Sequence, residues 1–201
     1  MQVDNIPHKI YHSLLIQQLK SQISIELANY DYVIVADGSS YYTDYMGGYG
    51  AIVLTPGMAD KEAAIFAFGS ATHTEVGRAE LQAILHALHA LFVENHQESS
   101  YQLELLKESN ERVLVISDRE DVVKSINKVY KRNVNRDMWA AFEWYEQYYD
   151  IIAEHTPRDD KDVHKIADAI ASELRINLLD YAQAQQDNGT ILMKQLSPRP
   201  S

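Results

Sequence analysis

Two apolar runs, each ending on a carboxylate, constrain this chain more than any other feature. In Tyr32-Val33-Ile34-Val35-Ala36 the β-branched side chains are stiff at χ1 and favour a pleated backbone, and the run leads straight into Asp37. Gly38-Ser39-Ser40 follows, a sequence that commonly ends a strand. Arg112-Val113-Leu114-Val115-Ile116-Ser117 repeats the device and ends on Asp118. Asp is rarely buried without a partner, so each needs a charge, a hydrogen-bond donor or a metal. An isolated strand-Asp-Gly is most often only a turn cap, and a site requires further carboxylates to join it.

The rest of the chain supplies elements that can bring them. Tyr49-Gly50-Ala51-Ile52-Val53-Leu54, closed by Thr55-Pro56-Gly57, predicts a second strand, and residues 63–68 a third, with Ser39 to Gly48 as the turn between the first two. From Glu75 to Val93 the period changes: Leu81, Ile84, Leu85, Leu88 and Leu91 form the wide apolar face of a helix with Glu80 in its first turns. After a polar connection over residues 94–111 and the strand ending on Asp118, helices are predicted from Asp121 to Tyr130 and from Asn135 to Tyr149. A fifth strand is expected at Ile151 to His155, and a last helix from Val163 to Leu179 carries Asp168. Three antiparallel strands followed by alternating helices and strands imply an α/β fold with a mixed sheet flanked by helices. In such sheets, sites gather beyond the strand ends.

Leu15, Leu19, Ile23 and Leu27 mark residues 1–29 as a helical extension with one apolar stripe, which either packs on the main domain or takes a protein partner. Residues 30–180 form the expected domain, and 181–201, rich in Gln, Asn and finally Ser-Pro-Arg-Pro-Ser, are expected to be a mobile tail. Zero cysteines exclude disulfides, thiolate catalysis and Cys-ligated zinc, so any metal is held by oxygen or imidazole. No apolar run is long enough to span a bilayer, and MQVDNIPHKI lacks the basic-then-apolar layout of a signal peptide. A cytoplasmic location away from membranes is expected. The net charge of −11 argues against nucleic-acid binding by bulk electrostatics. Locally, however, Arg119, Lys124, Lys128, Lys131, Arg132 and Arg136 stand against only Glu120 and Asp121, which makes either a phosphate-facing patch or a solvated face.

Ala36-Asp37-Gly38-Ser39, Gly47-Gly48-Tyr49-Gly50-Ala51, Arg78-Ala79-Glu80-Leu81, Ile116-Ser117-Asp118, Asn135-Arg136-Asp137-Met138-Trp139, and Pro157-Arg158 leading to Ala167-Asp168-Ala169 occur in that order. The order resembles type 1 ribonuclease H of the ribonuclease H-like superfamily. The resemblance implies a five-stranded mixed sheet, three antiparallel strands then two parallel, and makes Asp37, Glu80, Asp118 and Asp168 metal-binding catalytic carboxylates. It further implies two Mg²⁺ ions, replaceable by Mn²⁺, and hydrolysis of the RNA strand of an RNA/DNA hybrid to 5′-phosphate and 3′-hydroxyl ends. Hard carboxylate oxygens suit such ions.

The chain departs from the family in several places. His155 is the candidate for the His that members often carry after the fifth strand. Val76-Gly77 stands where many members have two Asn that touch the substrate backbone, and Arg119-Glu120 replaces small or amide residues after Asp118. The short interval from Asp118 to Asn135 leaves no room for a basic handle loop. Gly38, Ser39, Arg78, Arg119, Lys131 and Arg132 are the candidate substrate contacts. Two other readings stay open: a non-catalytic module of the same fold that binds nucleic acid or protein, and a nuclease of that fold acting on another nucleic acid.

Overall fold

The computed structural model describes residues 28–41, 46–54, 64–71, 75–95 and 111–157, together with 164, 165, 167, 168 and 172. Strands β1 (Tyr32–Tyr41), β2 (Met46–Leu54) and β3 (Ala64–Ala71) come first, then helix α1 (Val76–Asn95) and strand β4 (Glu111–Ser117). Helices α2 (Glu120–Ile126) and α3 (Arg136–Tyr145) and strand β5 (Tyr149–His155) follow. The five strands make one sheet in the order β3-β2-β1-β4-β5. β1, β2 and β3 pair antiparallel, while β1, β4 and β5 pair parallel, so the mixed α/β sheet expected from the element order is present.

The core explains why these segments adopt these forms. Leu81, Ile84, Leu88 and Leu91 on the stripe of α1 are fully buried against Ile34, Ala36, Val53 and Val115 of the sheet. Burying one such side chain stabilises by about 1.5–3 kcal/mol relative to leaving it exposed. Alternate residues on the opposite face, Val33, Val35, Ile52, Leu114 and Ile116, are equally buried. β1 and β4 are therefore apolar on both faces, which is why their sequences run without alternation. At the sheet edge β5 alternates instead, with Tyr149, Ile151 and Ala153 buried and Ile152 exposed. The Asn127 side chain covers part of that edge, donating to the Ala153 carbonyl at 2.7 Å and accepting from its amide at 2.8 Å. Edge groups left unpaired would invite strand addition from another chain.

Three local expectations are corrected. Gly38-Ser39-Ser40 does not end β1; the ladder to β2 continues through Gly38↔Tyr49 to Tyr41↔Met46, so inter-strand pairing overrides the turn propensity of these residues. The helix predicted to reach Tyr130 stops at Ile126. There Lys128 adopts φ 60°, its amide bonds to the Ser125 carbonyl and the Val129 amide to the Lys124 carbonyl. That is the Schellman arrangement, which closes a helix through a left-handed residue. The helix predicted to reach Tyr149 ends at Tyr145, because Tyr149 is drawn into register opposite Glu111 as the first residue of β5.

Of the expected last helix, residues 164, 165, 167, 168 and 172 are described, all helical. The N-terminal helix up to residue 27, the connection over 96–110 and the tail over 181–201 lie outside the described residues. Among the described residues, no helix is long and apolar enough to cross a membrane.

Candidate active site

The sheet register brings the two strand-borne carboxylates together. The β1–β4 ladder ends at Val35↔Ile116, and two residues further along each strand stand Asp37 and Asp118. Successive side chains alternate across a sheet and neighbouring strands lie about 4.8 Å apart, so this step sets both carboxylates on one side, a strand spacing apart. Asp37 is thus within β1, but past the point where β4 stops pairing with it, and it is buried.

Glu80 arrives from the first turns of α1, and Gly38 makes its approach possible. A Cβ on Gly38 would lie 2.1 Å from the Glu80 amide nitrogen and 2.5 Å from the Ala79 carbonyl carbon. Only glycine lets the helix backbone come this close to β1. As a result, oxygens of Asp37, Glu80 and Asp118 lie within 4.8 Å of one another, with Asp37 and Glu80 buried and Asp118 half-buried.

Glu80 is fully buried. Burial pushes its carboxyl well above the ordinary carboxylate range, and the charge of Asp37 pushes the same way; the Ser117 hydroxyl opposes them, Asp118 raises it further and the Gly38 amide lowers it. Its Oε1 accepts a 2.5 Å hydrogen bond from Ser117 Oγ, while among the described residues none donates a hydrogen bond to the buried Oε2. Ser117 was not among the sequence candidates. The available signal was its being the one polar side chain between the apolar run Val113–Ile116 and Asp118.

Asp168 is half-buried on a helical position, but it is not part of the cluster of three. His155 ends β5 with an exposed ring, and its Nε2 lies 3.1 Å from the main-chain carbonyl of Asp118, which it meets as an N–H donor. Ser39 is buried on β1 opposite Gly48.

Most of the basic candidates are bound to acids. Arg78 forms a two-pronged pair with Asp137, 3.0 Å for Nη1–Oδ1, and also donates to Asn135 Oδ1 at 3.2 Å. Asn135 holds φ 55° ahead of α3, a left-handed conformation that Asn tolerates better than most residues. The Asn135-Arg136-Asp137 motif therefore ties the start of α3 to the start of α1, two residues before Glu80. The Arg78 guanidinium holds the exposed Asp137 carboxyl down at about 2. Arg119 likewise takes Asp121 in a fork of 2.9 and 2.8 Å.

Arg132 is not a surface cation. Its guanidinium lies over the rings of Trp139 and Phe142, pairs with Glu146 at 2.8 and 3.0 Å, and donates to the Ser125 carbonyl at 3.1 Å. Lys124 pairs with Glu120 at 2.7 Å and Lys128 with Glu146 at 3.4 Å. The basic stretch is therefore largely neutralised within the fold, and Lys131 stays exposed. Lys131, Gly77, Arg78, Tyr130 and Asn135 line a cleft of about 270 Å³, which Leu81 and Arg119, the residues that follow Glu80 and Asp118 in the chain, also border.

Comparison with known proteins agrees with this geometry. No curated protein sequence matches the chain. Among solved structures, the chain is similar to LC11-RNase H1, isolated from compost by a metagenomic approach and solved with an RNA/DNA hybrid (19% identity, TM-score 0.57, covering 74% of this chain and 99% of that one). The N-terminal RNase H domain of Rv2228c from Mycobacterium tuberculosis is similar at 20% identity and TM-score 0.57, covering 76% and 99% of the two chains. RNase H1 from Halobacterium salinarum follows at 18% and 0.51, covering 71% and 96%. These likenesses carry the fold; the model of the RNase H family matches residues 29–171, a span that holds Asp37, Glu80, Asp118 and Asp168, and the chain belongs to that family of hydrolases.

Proposed function

We propose that the chain is a metal-dependent endonuclease that hydrolyses the RNA strand of RNA/DNA hybrids, leaving 5′-phosphate and 3′-hydroxyl ends. The observation that carries the reading is the convergence of Asp37, Glu80 and Asp118 within 4.8 Å inside a family match. A scaffold gains nothing from holding three like charges so close, since each disfavours the ionised form of the others.

The donor set suits a hard divalent cation. All three ligands are carboxylate oxygens, as Mg²⁺ and Mn²⁺ prefer. The buried Glu80 Oε2 accepts no hydrogen bond from the described residues, and a polar atom so placed normally has a partner. Asp37, Glu80 and Asp118 would together hold the metal, and Asp168 would contribute to holding a second ion. Bound there, such a metal would supply Lewis-acid chemistry, activation of a water and neutralisation of charge on the leaving oxygen. The protein's own part is placement: β1 and β4 fix two carboxylates by register, and α1 delivers the third over Gly38. Recognition of the hybrid falls to the cleft beside the site, where Lys131 presents an exposed charge and Tyr130 a half-exposed ring.

The test is cleavage of end-labelled RNA/DNA, RNA/RNA, DNA/DNA and single-stranded RNA in Mg²⁺, Mn²⁺ or chelator. Metal-dependent loss of RNA from the hybrid alone is expected. Cleavage of another duplex would assign the fold to a different substrate, and no cleavage in either metal would leave a binding module.

A further inference from the structure

We propose that Ser117 is a positioning residue for the metal site: its hydroxyl fixes Glu80 by Oε1 and so leaves Oε2 as the oxygen offered to a cation. The inference rests on the reading of Asp37, Glu80 and Asp118 as metal ligands. Glu80 reaches the site on a flexible side chain, and a buried carboxylate free to rotate could present either oxygen or turn from its neighbours. The 2.5 Å contact from Ser117 Oγ removes that freedom. A cation at the site would favour the carboxylate form of Glu80, to which a hydroxyl donates its strongest hydrogen bonds.

The hydroxyl proton has a defined direction because the rest of Ser117 is held. Its Oγ accepts from the Arg119 amide at 3.0 Å, which occupies one lone pair and turns the proton towards Glu80. Its carbonyl accepts from the Thr156 amide at 3.1 Å, and its backbone pairs with His155 in the β4–β5 ladder. The residue is fully buried, so no water competes for the hydroxyl. Ser117 thus links β4 and β5 to the carboxylate on α1, one position before Asp118. Groups that orient a metal's ligands in this way typically change metal affinity by about 10–100-fold when removed.

The test is calorimetric titration of Mn²⁺ into the full chain and into Ser117→Ala, Ser117→Cys and Ser117→Thr variants, with urea unfolding in chelator to check that each is folded. Ser117→Ala and Ser117→Cys, which lack a good donor, should bind Mn²⁺ about 10–100-fold more weakly, and Ser117→Thr, which keeps the hydroxyl, should stay within a few-fold of the parent. If the alanine and cysteine variants bind as the parent does, Ser117 has no positioning role. Equal weakening in all three, threonine included, assigns the effect to packing and overturns the role as well. A parent that takes up no Mn²⁺ overturns the metal site itself, an outcome distinct from either.

Discussion

Replacing Asp118 with Asn should stabilise the metal-free protein while abolishing its response to Mg²⁺. Oxygens of Asp37, Glu80 and Asp118 lie within 4.8 Å of one another. At that separation two unit charges repel by about 3.5 kcal/mol at an effective dielectric constant of ~20, and by about 0.9 kcal/mol at that of water. Asp118 is half-buried, so its interaction with Asp37 lies between these limits. Glu80 adds less, because burial already holds it towards the neutral form. A gain of about 1–3 kcal/mol is expected in chelator, since Asn keeps the shape of Asp and removes the charge. Read by urea unfolding, with a slope of about 2 kcal/mol per molar, the midpoint should rise by roughly 0.5–1.5 M. Mg²⁺ at a hundred times its dissociation constant should then stabilise the parent by about 2.7 kcal/mol and the variant hardly at all. A variant less stable than the parent in chelator, or an equal Mg²⁺ response in both, would refute the argument.

The same crowding predicts a pH dependence. The folded-state pKa of Glu80 is raised, so on a rise in pH the unfolded chain ionises there first. The associated stability is complete below the ordinary Glu range and is lost as pH climbs through it towards the raised value. In chelator, Glu80→Gln should therefore gain on the parent as pH rises from about 4 to 7, and a constant difference would count against it. Asp137 runs the opposite way: its pKa is lowered to about 2, so the Arg78 pair contributes above the ordinary Asp range and is lost as pH falls through about 2. Carboxyl NMR titration should show this value, and Arg78→Ala should return it towards about 3.9. Gly38→Ala should destabilise by about 1–3 kcal/mol or more in thermal unfolding, because its Cβ meets the α1 backbone at 2.1 Å. Lys131→Ala should weaken hybrid binding at low salt and reduce the slope of log K against log salt by about 0.9, and an unchanged slope would remove Lys131 from the phosphate contacts.

Much of the fold was legible because it is written in local patterns. The unalternating runs before Asp37 and Asp118 marked strands buried on both faces, and the stripe from Leu81 to Leu91 marked the helix that covers one of them. What the sequence hid depends on partners distant along the chain. Gly38 looked like a turn residue, yet its function is to admit the backbone of Glu80. Arg132 looked like part of a basic patch, yet Glu146 and the rings of Trp139 and Phe142 bring it inside. Arg78 is a candidate substrate contact in the sequence, and its pair with Asp137, on another helix, could not be read there. Composition counts charges, whereas only the fold decides which of them meet.

That pairing bears on the chemistry of the site. Arg119 follows Asp118 directly, and the charges of Glu80 and Asp118 both act on its guanidinium. An arginine free to turn towards three carboxylates would neutralise them and compete with any divalent cation. Asp121 holds it instead in a bidentate fork, a geometry that fits guanidinium closely, and the missing side chain of Gly77 gives it room to lie there. Asp137 does the same for Arg78 at the start of α1. The acids that cancel the basic stretch thus protect the negative field of Asp37, Glu80 and Asp118. A chain of net charge −11 can in this way concentrate negative charge at one point, and cations held there would offset it before a polyanionic substrate approaches.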